Sequence, residues 1–144
     1  MDKTQKSMFD GSFQVEKNKY SLEENIWLDF TIENKSKKTV YVFFQKENPE
    51  NLNIKIKETK GYIKHLDKKE LGVSLVPEYQ LKYEEQINTK YLLNSFLEFK
   101  KKGIYEIMIS LDVEYNLVSI QSDQSKEINK IETITSIISL EITE

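Results

Sequence analysis

Between Gly103 and Tyr115 the chain alternates without a lapse. Tyr105, Ile107, Ile109, Leu111, Val113 and Tyr115 stand on one side, and Glu106, Met108, Ser110, Asp112 and Glu114 on the other. A period of two is the side-chain repeat of an extended strand with one face buried and one wet; a helix needs 3.6. The same pattern recurs along the chain. Ile26, Leu28, Phe30 and Ile32 alternate with Trp27, Asp29, Thr31 and Glu33, and the run stops at the polar turn Asn34–Lys35–Ser36–Lys37–Lys38. A second strand, Thr39 to Gln45, is apolar on both faces, and Pro49 with its neighbours breaks it from Leu52, Ile54 and Ile56. A short strand is expected at Tyr62–Leu66, a loop at Lys68–Pro77, and another alternating run at Tyr79, Leu81 and Tyr83. The stretch from Tyr91 to Phe99 fits a strand or a helical turn, and a turn is expected at Asn94–Ser95–Phe96. A polar stretch, Ser119 to Lys130, reads as a mobile loop before a last strand in which Ile134, Ile138, Leu140 and Ile142 share a face. No helical pattern exceeds about two turns. Seven to eight strands separated by turn signals imply an all-β chain folded as an antiparallel sandwich.

At 144 residues the chain is long enough for one well-filled core, and the expectation is a single domain over 1–144, with residues 1–10 as a flexible tether. Charged residues make up 31% and the net charge is −3, yet every basic side chain except His65 is a lysine. Arginine supplies the planar fork that grips guanine edges and phosphates, so its absence, with lysines interleaved among acids, argues against nucleic acid as a partner. With no cysteine there is no disulfide framework and no thiol nucleophile. No apolar run approaches the roughly 20 residues needed to cross a bilayer as a helix. The first nine residues lack the apolar segment of a secretion signal, which implies a cytoplasmic protein if the chain is full-length. A periplasmic or cell-envelope site is implied if a leader was removed.

The inventory of reactive groups implies a protein that is not an enzyme and holds no metal or cofactor. His65 is the only histidine, so a zinc site built on histidines and a Ser–His–Asp triad both lack members. Glu23–Glu24 and Glu84–Glu85 are adjacent pairs whose side chains point apart, unlike the facing carboxylates of glycosidases. Asp112, Glu114 and Asp123 lack the spacing and glycine of a calcium loop, and Gly61, Gly72 and Gly103 stand too far apart to cradle a phosphate.

One segment is more specific. In Gly103–Ile104–Tyr105–Glu106–Ile107 a turn glycine is followed two positions on by tyrosine and two further by an inward apolar residue. This resembles the tyrosine corner of immunoglobulin-like sandwiches, where the hydroxyl bonds back to the backbone and the position two later faces the core. Antibody domains carry cysteine at that later position, where this chain has Ile107, and tryptophan one strand later than Trp27. A wider pattern, with Asn34–Lys35–Ser36 between two early strands and Tyr91 to Leu111 late, covers about two-thirds of the chain. It resembles two groups of bacterial sandwiches: the intracellular proteinase inhibitor family and the non-catalytic domain of deuterolysin-like metalloproteases. The His-Glu-x-x-His helix of those proteases is absent. The chain has no alanine and is rich in isoleucine, lysine and asparagine, the bias of low-GC bacterial genes.

The expected functional residues are apolar ones on solvent faces. If Val40, Val42 and Phe44 face the core, Tyr41 and Phe43 point outward, as do Ile104 and Met108 on the tyrosine-corner strand. These strands, C and F of an immunoglobulin-like sandwich, are neighbours, so one aromatic–aliphatic patch is expected, with Trp27 as a separate anchor. The partner implied is another protein, and the resemblance suggests an immunity protein or inhibitor that neutralises a toxin or peptidase. A structural or adhesive envelope module, and a carbohydrate or small-ligand binder, are the alternatives.

Overall fold

The computed structural model describes residues 7–44, 52–59, 63–65, 77–118 and 130–144. Its strands are β1 (Phe9–Gln14), β2 (Lys19–Ser21), β3 (Trp27–Asn34), β4 (Val40–Phe43), β5 (Leu52–Thr59), β6 (Ile63–His65), β7 (Glu78–Leu81), β8 (Gln86–Leu92), β9 (Leu97–Phe99), β10 (Gly103–Asn116) and β11 (Lys130–Thr143). One sheet has the order β1–β3–β8; the other runs β2–β11–β10–β4–β7, with β5 also on β10, and β6 pairs with β9 separately. The two larger sheets bury their inner faces against each other. Phe30 of β3 packs on Phe13 of its own sheet at a ring distance of 4.7 Å and, across the core, on Phe44 just past β4 at 6.0 Å.

The alternation read in the sequence holds. Leu28, Phe30 and Ile32 are buried from β3, and Tyr105 through Val113 from β10. β4 and β5 both run antiparallel to β10 and act as two halves of one strand. Phe43 lies opposite Glu114 and Leu52 opposite Leu111. Counted so among the described residues, the two sheets use seven principal strands, and β2, β6 and β9 are three-residue additions. One pairing departs from the antiparallel expectation: β2 lies parallel to β11.

The tyrosine corner is present. Tyr105 is fully buried, its hydroxyl donates to the Lys101 carbonyl at 2.6 Å, and its ring meets Phe99 at 5.0 Å. Gly103, at φ +157°, occupies a backbone conformation that residues with a Cβ rarely adopt, and it turns the chain into β10. Asn34 closes β3 as a fully buried amide. Its Nδ2 donates to the carbonyls of Lys38 (2.8 Å) and Leu81 (2.9 Å), and its Oδ1 accepts from Ser36 N–H at 2.8 Å. The β3–β4 turn is thereby tied to the end of β7. In the β7–β8 turn Glu85 N–H donates to the Lys82 carbonyl, with Glu84 left-handed at φ 68°.

Segment 8–21 runs alongside β11 and covers its outer edge in two ways. Around β1 the link is made by side chains: Glu132 accepts from Met8 N–H at 2.9 Å, and Ser136 Oγ accepts from Phe13 N–H at 2.9 Å. Gly11 lies so close that a Cβ there would sit 2.9 Å from the Cγ2 of Ile134. Further along, β2 takes over with main-chain pairing to Glu141–Thr143.

Several sequence expectations need correction. The tether does not reach residue 10, because Phe9 and Asp10 belong to β1 and Phe9 is buried edge-on against Tyr115 at 5.3 Å. β11 begins at Lys130, inside the expected loop, because it pairs with Tyr115 at the far end of β10. Tyr83 lies in the β7–β8 turn, not in a strand. The helical turn expected at Asn94–Ser95–Phe96 is present, one residue earlier, as the 3-10 turn Leu93–Ser95, with Asn94 Oδ1 accepting from Ile26 N–H at 2.7 Å. The loop expected at Lys68–Pro77 and the stretch 119–129 fall outside the described residues, apart from Pro77.

Candidate binding surface

Successive outward positions of β10 meet those of β11 across the ladder: Ile104 with Glu141, Glu106 with Ser139, Met108 with Ile137, Ser110 with Thr135, Asp112 with Thr133, and Glu114 with Ile131. Directly opposed side chains in an antiparallel pair stand about 5 Å apart, so Met108 and Ile137 form one apolar step. Ile137 is 56% exposed, Ile131 61% and Ile104 66%, while Met108 is half-buried. Small hydroxyl residues separate the apolar steps, and Thr133 Oγ1 donates to Asp112 at 2.5 Å. The charges on this face are mostly acidic: Glu106, Asp112, Glu114 and Glu141, against Lys55 opposite Met108 and Lys19, which pairs with Glu141 at 3.4 Å.

Tyr41, Phe43, Ile104 and Met108 do not form the one patch expected of them. Phe43 is 7% exposed and sits outside the main core cluster, so it is covered and not offered to solvent. Tyr41 is half-buried and lies opposite Asn116. Tyr41 and Phe43 lie at the Glu114–Asn116 end of β10, and the neighbour of Met108 on that side is Lys55. Met108 and Glu114 are six residues apart, about 20 Å along a strand. Ile104 is outward as expected, at the other end of β10. Trp27 is 47% exposed on the outward side of the other sheet, so it belongs to a different surface. Ile131 and Ile137 were missed. Their odd positions, opposite in parity to Ile134, Ile138, Leu140 and Ile142, carried the signal.

The paired acids hold turns. Glu24 is ion-paired with Lys17 and accepts from Ser21 N–H at 3.1 Å, and the Lys17 ammonium holds the Glu24 carboxyl below the usual carboxylate range. Glu85 Oε1 accepts from Lys82 N–H at 2.7 Å. Glu33 is held low in the same way, first by Lys35 and then by the Gln86 amide. His65 lies in β6, opposite Leu97. Among the described residues no three His, Cys, Asp or Glu side chains cluster as metal ligands, and no helix is long and apolar enough to cross a membrane.

No protein-family model matches the chain, and no curated protein does. Among solved structures it is similar to a β-glucosidase from Listeria innocua. The complex with gluconolactone shows 13% identity and a TM-score of 0.39, covering 94% of this chain and 16% of the enzyme. The complex with glucose gives 12% and 0.39, over 96% and 17%. The chain thus spans about a sixth of that enzyme's length, and a likeness of this degree carries no argument about function.

Proposed function

We propose that this chain is a non-enzymatic protein-binding domain whose partner docks on the outward face of β10 and β11. The observation that carries the reading is Ile137, more than half exposed in mid-strand directly across from Met108. A solvated sheet face has no need of isoleucine at its centre, and exposed apolar steps rimmed by polar residues mark interaction surfaces. The acidic surround, Glu106, Asp112, Glu114 and Glu141, favours a partner with an apolar centre and a basic rim. Neutralisation of a toxin or peptidase, as by an immunity protein or inhibitor, is the role favoured by the resemblance to intracellular proteinase inhibitors.

The test uses the purified domain as bait in lysate of its source cell, beside an Ile137→Glu variant. Buried anchors commonly contribute about 2 kcal/mol or more, so the variant is expected to lose a captured partner at least about 30-fold while melting like the parent. Equal capture by both proteins, at equal melting temperature, would place the interface elsewhere.

A further inference from the structure

The outward face of the β1–β3–β8 sheet is a ladder of polar side chains that ends in an indole. Across its three strands the rows read Asp10–Glu33–Gln86, Ser12–Thr31–Asn88 and Gln14–Asp29–Lys90, with Trp27 beside Leu92 closing the end. There the β1–β2 connection and the β2–β3 turn rise to form a cleft of about 310 Å3, lined among others by Gln14, Lys17, Tyr20, Trp27, Asp29 and Lys90. We propose that this cleft binds a neutral oligosaccharide, with Trp27 as the stacking platform and the polar rows as the hydroxyl-reading surface.

The chemistry of the lining selects the ligand class. Lys17 is committed to Glu24 and lies 4.9 Å from the centre of the Tyr20 ring, so it is not free to clamp an anion. What remains is Glu16, Asp29 and Lys90, a mixture that favours neither a phosphate nor a simple cation. The half-exposed indole offers a flat π face that attracts the weakly positive C–H face of a pyranose ring. Gln14, Asp29 and Lys90 stand in one row with an amide, a carboxylate and an ammonium, supplying both acceptors and donors for hydroxyl groups. The next row is already fixed: Asn88 Nδ2 donates to Asp29, to Thr31 Oγ1 at 2.8 Å and to the Phe30 carbonyl at 3.2 Å. Side chains held in place before binding lose little freedom on binding. Successive outward rows lie about 7 Å apart, so the stripe from Trp27 to Glu33 runs about 20 Å, the reach of several linked sugars.

Trp27 is the only tryptophan, so its fluorescence reports on the cleft directly. The full chain is titrated with maltohexaose, cellohexaose, laminarihexaose, xylohexaose and chitohexaose, with glycerol as the viscosity control. The expected result is a saturable blue shift with at least one hexasaccharide, with Kd between about 10 μM and 1 mM, and none with glycerol. By calorimetry Trp27→Ala and Asp29→Ala weaken that binding at least tenfold, as does Lys90→Ala, an exposed residue of the same row. Ile137→Glu leaves it unchanged, so this site and the β10–β11 surface fail or stand separately. The proposal is overturned if none of the five sugars saturates, if glycerol reproduces the shift, or if the three cleft variants bind and melt as the parent does.

Discussion

Asn34 is the side chain on which two turns depend, and its removal has a calculable cost. Asn34→Ala deletes two donors and one acceptor while leaving the main-chain bonds from Asn34 N–H to Glu85 and from Glu84 N–H to Asn34 in place. The Leu81 carbonyl is left buried without that donor, a loss of about 1–3 kcal/mol. The Lys38 carbonyl and Ser36 N–H are part-buried and reachable by water, so each loses about 0.5 kcal/mol. The expected total is about 3 kcal/mol, which for a domain of this size lowers Tm by about 10 °C. Asn34→Asp adds a diagnostic pH dependence. Its carboxyl would face two carbonyl oxygens in a buried site, which favours the protonated acid and raises its folded pKa above the unfolded value of about 3.9. This variant is therefore expected to be best preserved below about pH 4 and to lose stability as pH rises from there. Thermal melts followed by circular dichroism between pH 3 and 8 measure both variants, with Ser36→Ala as a control expected to lose less than about 1 kcal/mol. If Asn34→Ala melts within about 2 °C of the parent, water replaces the amide without loss, and the linking role assigned to it is wrong.

The corner bond from Tyr105 to Lys101 should contribute about 1 kcal/mol, read as the loss in Tyr105→Phe, whereas Tyr105→Ala should cost about 3–5 kcal/mol by opening a cavity; denaturant titration measures both. Glu84 holds a left-handed conformation that glycine adopts without strain, so Glu84→Gly should gain about 0.5–1 kcal/mol in the same assay. Burial pushes the Tyr91 phenol well above its ordinary value, and those of Tyr105 and Tyr115 upward as well. Each keeps its proton in the fold when the unfolded chain has lost it, so stability should be intact below about pH 10 and fall above it. Tyr91→Phe should flatten that fall in melts from pH 8 to 11.

Strand identity was legible because burial imposes period two wherever one face is dry, as in β3 and β10. The tyrosine corner was legible because a glycine and a phenol at fixed spacing leave few alternatives. What could not be read was which strands lie beside which positions. The sequence does not say which part of β10 each of β4 and β5 pairs with, and it is that pairing which separates Tyr41 and Phe43 from Met108. β1 was not legible because its inward alternation, Phe9–Gly11–Phe13, is interrupted by Gly11, where the closeness of Ile134 leaves no room for a side chain. Trp27 was recognised as outward, but its cleft is assembled from four separate strands and turns, which no single segment announces.

The latch between β1 and β11 bears on how this protein behaves at high concentration. Fourteen residues long and rich in isoleucine, β11 has the composition of a segment that would stack with copies of itself if its rim were bare. Side-chain hydrogen bonds to Glu132 and Ser136 and the close fit at Gly11 join the covering strand to β11 there in place of a continuous ladder. β1 is also laddered to β3 and buries Phe9 and Phe13, so the rim is uncovered only when β1 leaves its place in the core. Resistance to fibril growth should therefore follow the hold of β1 on the core, with Glu132 and Ser136 as added restraints at the rim.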